Sequence, residues 1–383
     1  MNSRAQAGFL LFVFFIASGC SFSDSYSGRK QFTAPGVSEL WGTKGNLWSP
    51  ISRLPDYSFA GYQSGRRGLP DIPVAANVKD FGALGDGRAD DTAAFESALA
   101  SVAEGSILIP RGRYRISGPI TLRRSGIILR GEDRRETIIL AGHVPGDCSV
   151  RNQGPPNCAP YQGAAMFQIA GNVSGAKLAN VVKTAKRGAR TLQVSSARSI
   201  RAGQFVRLRM RNPADNSLGC HLYAEVGCLN AERRKWYGGR IVDWVVEVES
   251  VAANSITFVR PLRLDVRSHW DPEIWSFNAS VQESGIENLT IQFSGEPYAG
   301  HNDEQGHYAV FIQDAYNCWI RDVTIVDADR GIEVSGGYNT ISGVTLRANA
   351  RTPVRTANVY ATGHFALSAA GPRARTTFSW MQT

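Results

Sequence analysis

The sequence predicts an all-β chain wound as a single-stranded parallel β-helix, with an N-terminal capping helix and a small inserted antiparallel β-barrel. Three observations predict it: one stretch is written twice, its short strands alternate in hydrophobicity, and the pattern breaks in a single block.

Residues 309–325 (AVFIQDAYNCWIRDVTI) are followed by 331–346 (GIEVSGGYNTISGVTL), and the two align with one residue skipped. Val310, Ile312, Ile320, Val323 and Ile325 of the first copy match Ile332, Val334, Ile341, Val344 and Leu346 of the second. Alternation with period two buries one face of a strand, and a repeat of roughly 20–25 residues stacks coils rather than building a sandwich. Asn317 and Asn339 fall 22 positions apart, so they are expected to stack as an internal ladder that satisfies turn backbone groups. Gly285–Ile291 aligns with Trp319–Ile325 and marks an earlier coil, and a further strand is expected at 365–367.

The chain is read in five parts: 1–20, 21–75, 76–176, 177–266 and 267–383. In the first, Arg4 precedes the apolar run Phe9–Ile16, and Ala17-Ser-Gly leads to Cys20. A run this short is a signal peptide rather than a membrane span. Ala-Ser-Gly-Cys resembles the bacterial lipoprotein signal, with Ala17 where Leu is usual; Cys20 is then the lipidated residue and Ser21 favours the outer membrane. The expected location is outside the cytoplasm, as an outer-membrane lipoprotein or a periplasmic or secreted protein. Residues 21–75 read as a tether and packing segment, with the aromatic stretch Leu54–Tyr62 laid along the coils.

Asn77–Thr92 reads as a strand, a tight turn at Gly85-Asp86-Gly87, and a helix start capped by Asp90 or Asp91. Phe95, Ala98, Leu99 and Val102 then form an apolar stripe suited to closing the open end of a β-helix. Residues 107–116 and 126–131 supply the first strands. This stretch resembles the start of the pectate-lyase-like, rhamnogalacturonase/epimerase-type β-helix superfamily, which includes polygalacturonases and phage tailspikes. The resemblance spans about Asn77–Leu140 and returns from Ala279 onward. It implies a right-handed β-helix and action on polysaccharide. Asp86, Asp90 and Asp91 are turn and cap residues on this reading. The polygalacturonase acidic motif has no counterpart, and the nearest fragment, Gly363-His364-Phe365, lacks its second glycine.

From 177 to 266 the coil pattern gives way to alternating strands at 191–194, 204–208, 244–249 and 255–259, the expected inserted barrel. Its basic tip includes Arg209, Arg211, Arg234 and Trp236; a solvated loop and a glycan contact are equally good readings. Cys148/Cys158 and Cys220/Cys228 bracket short loops and read as disulfide staples in an exported protein, leaving Cys318 as a buried thiol. After Arg351 the repeat thins and no cap is recognisable, so the coils from 267 to 383 are expected to be incomplete.

A formal net charge of +9 suits an anionic partner. No basic helix or aromatic RNA-binding motif is present, so the expected partner is an acidic polysaccharide rather than nucleic acid, with a membrane reached only through the lipid. Loops before successive strands should lie side by side, because coils stack at about 4.8 Å. They carry His301, Asp303, His307, Asp327, Asp329, Arg330, Arg351, Arg355 and His364, with Glu333 facing outward from its strand. β-Elimination on a uronate requires neutralising its carboxylate, removing the C5 proton and protonating the leaving oxygen. His301 and His307 are the base and acid candidates and Arg330 the carboxylate clamp. Asp303, Asp327 and Asp329 are candidate Ca²⁺ ligands. Arg351, Arg355, His364, Arg234 and Trp236 are candidate substrate contacts. Hydrolysis would instead need two carboxylates about 5 to 9.5 Å apart, with Asp329 and Glu333 the candidate pair. The remaining alternative is a non-catalytic glycan-binding or envelope protein.

Overall fold

Two-residue alternation, repeated once per coil, produces three parallel stacks of strands. The computed structural model describes residues 42, 45–52, 57–142, 164–222, 239–294, 306–347, 358–362, 364–369 and 377–381. Met1–Trp48 is a separate unit, in which Trp48 N–H donates to the Gly45 carbonyl. The β-helix lies in the second unit, Ser49–Thr383.

Stack one consists of Ile120–Leu122, Ala165–Ala170, Tyr308–Tyr316, the start of Arg330–Arg347, Asn358–Thr362 and Thr377–Met381. Stack two runs from Val74–Asn77 through Gly105–Ile109, Ile127–Gly131, Gly285–Glu287 and Trp319–Arg321 to residues 340–342 and His364–Ala369. Stack three holds Asp86–Asp90, Gly112–Ile116, Thr137–Ala141, Thr290–Gln292, Thr324–Val326 and residues 345–347. From Ile120 to Arg347 the chain passes through the stacks in this order on each turn, forming a right-handed parallel β-helix. Inward residues such as Ile107, Phe167, Ile286, Val310, Ile320 and Ile341 make one continuous core.

The capping helix spans Thr92–Ser101 and buries Phe95, Ala98 and Leu99 in that core. Asp91 precedes its first residue, but its carboxylate accepts from Leu84 N–H (2.6 Å) and Gly85 N–H (3.2 Å), tying down the preceding turn. Asp90 does the capping: its Oδ1 accepts from Thr92 N–H at 3.0 Å. Gly85 sits at φ +62°, and a Cβ there would meet the Tyr114 ring at 2.8 Å, so the turn requires glycine.

The inserted block is a curled antiparallel sheet of six strands, ordered 177–180, 273–276, 205–212, 239–252, 255–258 and 191–193. Its first and last strands meet through the antiparallel bridge Val181–Val194, closing it around Val206, Leu208, Val246, Phe258 and Trp270. Strand 273–276 lies beyond residue 266, and the sheet joins the coils through the short pair Val173–Ser174 and Asn278–Ala279. The insertion thus leaves the β-helix between stacks one and two. Cys220 is disulfide-bonded, with its partner outside the described residues, as are Cys148, Cys158 and Cys228.

The Asn ladder differs from expectation. Val310 and Ile312 pair 22 residues on with Ile332 and Val334, but Ala315, Tyr316 and Trp319 pair 21 residues on with Gly336, Gly337 and Thr340. The skipped residue therefore falls before the Asn, and Asn339 lies beside Cys318. Asn339 accepts from Cys318 N–H (2.8 Å) and donates to the Ala315 carbonyl (3.0 Å), fully buried. Asn317 instead accepts from Gln63 N–H at 3.1 Å.

That bond belongs to an N-terminal strap over stack two. Tyr62 N–H donates to Thr340 Oγ1 (2.8 Å), the Tyr62 ring meets Trp319 edge-on at 5.7 Å, and Leu69 and Ile72 cover the same patch. Beneath it the buried Glu287 carboxylate accepts from Trp319 Nε1 (2.9 Å) and pairs with Arg321 (2.7 Å) and Arg130, which also reaches Asp71 (2.9 Å). A buried carboxylate is tolerated here because each oxygen has a partner.

Replacing Asn339 with Ala leaves a buried N–H and a buried carbonyl unpaired, and should lower stability by about 2–4 kcal/mol in denaturant titration. Asn317→Ala should cost about 1 kcal/mol or less, because the half-buried strap amide can turn to water. Burial pushes the Cys318 thiol up to about 12. Its neutral form stabilises the fold below the ordinary thiol value, and this contribution falls as pH rises toward 12. Native protein at pH 8 should therefore leave Cys318 unalkylated by iodoacetamide, while unfolded protein is labelled.

Candidate functional site

Strand alternation sends Gln168, Phe311 and Glu333 outward from three successive coils of stack one, in register. All three are half-buried, whereas the corresponding face of stack two lies under the strap. Gln313 and Ser335 continue the row toward the insertion, and Tyr308 and Arg330, paired where the two strands begin, reach onto this face although their parity is that of inward Val310 and Ile332.

The polar centre of this face is Glu333. Its Oε2 accepts from Tyr308 Oη at 2.8 Å and lies 3.8 Å from Arg330 Nη1. The Arg330 guanidinium sits 5.7 Å from the centre of the Tyr308 ring, which stacks at 6.0 Å on Phe311. Arg330 and Glu333 side chains are each about a quarter exposed (24% and 23%), so their ion pair contributes at most about 1 kcal/mol. Its importance is positional: a carboxylate, a phenol and a guanidinium are held together beside an aromatic surface.

The preceding loops are joined by backbone. His307 N–H donates to Asp329 Oδ2 (2.9 Å), and the His307 carbonyl accepts from Asp329 N–H (2.8 Å) and Arg330 N–H (3.0 Å). The His307 ring is buried and stacks on Phe293 at 5.0 Å. Asp327 is also buried, at φ +57°, and its N–H donates to the Arg347 carbonyl. Thus His307, Asp329 and Arg330 do converge on adjacent coils, but the imidazole faces the interior and Asp329 braces a turn.

His301, Asp303, Arg351, Arg355, Arg234 and Trp236 lie outside the described residues. His364 begins a stack-two strand at the register of Gly337, one stack away from its expected place. The stack-one strand of that coil is Asn358–Thr362, which is too short and too weakly alternating to stand out in the sequence. Among the described residues no group of three His, Cys, Asp or Glu side chains is placed to hold a cation. Tyr308, Phe311 and Gln168 escaped the sequence reading. Outward parity was the available signal for Gln168 and for Phe311, an aromatic between two core residues, whereas Tyr308 shares the parity of inward Val310 and Ile312 and carried no such signal.

The fold and this face define an elongated β-helix with one polar, aromatic-lined flank. Residues 75–227 match the family model described as rhamnogalacturonase A/epimerase, pectate lyase-like, and the chain has that pectate-lyase/epimerase-like right-handed β-helix fold. Among curated proteins it is similar to mannuronan C5-epimerase AlgE3 of Azotobacter vinelandii, 41% identical over 73 residues, covering 16% of this chain and 4% of that protein. It is also similar to alginate lyase 7 of the same organism, 38% identical over 72 residues, covering 16% of this chain and 8% of that protein. The chain therefore spans a small fraction of the curated relatives it matches. Similar solved structures include the tailspike gp61 of Pseudomonas phage phi297 (TM-score 0.44, 17% identity, 77% of this chain and 48% of that one). The A-module of Azotobacter vinelandii mannuronan C5-epimerase AlgE4 gives a TM-score of 0.35 and 14% identity, over 76% of this chain and 50% of that one.

The interior placement of His307 has a direct test. His307→Ala should lower stability by about 2–3 kcal/mol through lost packing on Phe293, measured by thermal or denaturant unfolding. Glu333→Gln should stay within about 1 kcal/mol of the parent, since it keeps shape on a half-exposed face.

Proposed function

We propose that stack one's outward face binds an acidic, uronate-containing polysaccharide and cleaves it by β-elimination, in an exported protein. The observation that carries this reading is the Arg330–Glu333–Tyr308 cluster beside Phe311. A guanidinium is suited to a uronate carboxylate, and pairing there withdraws charge and makes the C5 proton easier to remove. Glu333 is the base that takes this proton, with the Tyr308 hydroxyl holding its carboxylate in place. The Phe311 ring offers an apolar surface to a sugar face. The net charge of +9 favours approach of a polyanion. Mannuronan C5-epimerases and an alginate lyase among the relatives support the same starting step, because C5 epimerisation and elimination both begin with loss of the C5 proton.

Ca²⁺ is a further proposed component. Of its candidate ligands, Asp329 already accepts a backbone N–H and Asp327 is buried, so Arg330 is the group assigned to the uronate carboxylate. Export and lipid attachment at Cys20 rest on the first twenty residues, and labelling cells with a clickable fatty acid tests them.

Incubation with a panel of uronate polysaccharides, with and without Ca²⁺, should produce the ultraviolet absorbance of an unsaturated uronate. Arg330→Ala should lower kcat/KM about 10²–10³-fold, with the fold retained. New reducing ends without that absorbance would replace elimination by hydrolysis. Deuterium entering C5 from D₂O without chain cleavage would replace it by epimerisation. Binding without any of these would leave a glycan-binding protein and overturn the enzymatic reading.

A further inference from the structure

We propose that Asp314 is the acid that protonates the leaving glycosidic oxygen when a polysaccharide chain is cut on this face. The inference rests on the cleavage reading above and adds a residue to it. Asp314 occupies the point where the coil-to-coil register changes from 22 to 21, so it is the extra residue of a β-bulge in strand Tyr308–Tyr316. Bulges redirect a side chain out of the regular alternation. Asp314 stands at φ +46°, uncommon for a residue other than glycine.

Three coils are shaped around the bulge. A Cβ on Gly171, in the coil before, would lie 2.5 Å from the Asp314 carbonyl oxygen. One on Gly336, in the coil after, would lie 2.2 Å from the Ala315 carbonyl oxygen, and Gly336 itself has φ +113°. Asp314 N–H donates to Ser335 Oγ at 3.0 Å, and that hydroxyl lies 3.5 Å from Asp314 Oδ1. Ser335 shares the outward face with Glu333, two residues away. At about 3.3 Å per residue, the positions of Asp314 and Glu333 are therefore offset by about 7 Å along the strand, close enough for both side chains to reach one glycosidic linkage.

The groups facing Asp314 set its charge. From the inserted sheet, Arg207 approaches but is engaged by Asp243, with Nε to Oδ1 at 2.8 Å; the Tyr316 phenol lies on the same side. Asp314 is an exposed residue, yet the protein around it raises its carboxyl pKa, chiefly by desolvation, while Ser335 and Arg207 act in the opposite direction. With Arg207 committed to Asp243, the carboxylic acid form survives to higher pH than an ordinary aspartate allows.

During elimination, Glu333 removes the C5 proton, the C4–O bond breaks as the C4=C5 double bond forms, and the Asp314 carboxyl gives its proton to the departing oxygen. Asp314 is left as a carboxylate and regains a proton from water. If the reaction is hydrolysis, the same proton goes to the glycosidic oxygen while Glu333 takes one from the attacking water, so the assigned role is unchanged.

The test compares wild type, Asp314→Asn and Asp314→Ala on the natural polysaccharide and on an oligosaccharide whose leaving oxygen belongs to a nitrophenol. Unfolding curves check that each variant keeps its fold. Both variants should lose about 10²–10⁴-fold in kcat on the polysaccharide and about tenfold or less on the nitrophenol substrate, which needs little protonation. The alkaline limb of the wild-type kcat/KM profile should disappear in Asp314→Asn. Equal losses on both substrates, or an unchanged alkaline limb, would show a merely structural bulge and overturn the assignment. If wild type cleaves and Asp314→Asn cleaves as fast, this inference fails while the cleavage reading stands. If wild type cuts neither substrate, both fail together.

Discussion

The whole architecture depends on one constraint, the coil-to-coil hydrogen-bond ladder. Parallel strands must present their N–H and carbonyl groups in register with the coil above and the coil below, or buried backbone groups go unpaired. This forces residues 21, 22 or 34 positions apart to share one height on one face, as Gly285, Trp319 and Thr340 do. It also means that a residue more or less per coil cannot be spread along a strand. The extra residue is gathered at one point, Asp314, and glycines at 171 and 336 leave room for it.

Polar groups inside the solenoid follow the same requirement. Asn339 is fully buried because a turn leaves the Cys318 N–H and the Ala315 carbonyl without strand partners, and one amide side chain serves both. Glu287 is buried because Trp319, Arg321 and Arg130 surround it with donors. The strap completes this arrangement and closes stack two to solvent. The insertion is fastened at the turn between stacks one and two, where buried Arg260 donates to Tyr338 Oη (2.9 Å) and Tyr338 Oη donates to the Val245 carbonyl (3.0 Å). Stack one keeps its half-exposed row of Gln168, Phe311 and Glu333 beside that insertion, and the chemistry is assigned there.

Much of the fold was legible because alternation and repetition are local properties. Val310 and Ile312 against Ile332 and Val334 indicate both strands and their stacking, and the apolar stripe Phe95, Ala98, Leu99 and Val102 indicates the cap. The inserted barrel shows equally well as a change of pattern. The alternating strand around Asn358 was missed because five residues with one strongly apolar pair carry little periodic signal, and His364 was placed in the wrong stack as a result.

The candidate site was legible in composition but not in orientation. The sequence by itself determined that His307, Asp329, Arg330 and Glu333 would gather at one edge, since stacking brings neighbouring loops together. Only the tertiary structure decided which of them face outward. His307 turns in against Phe293, a contact across a gap in sequence that no local pattern encodes. Tyr308 reaches Glu333, and Asp314 meets Ser335, through side chains on different coils. The position of the one-residue skip settles the last of these, because it decides that Asp314 is the extra residue and that Asn339 stacks beside Cys318. Two nearly identical alignments of the same repeat differ in that skip, and they are distinguished by backbone hydrogen bonds and by glycines that leave space for a bulge.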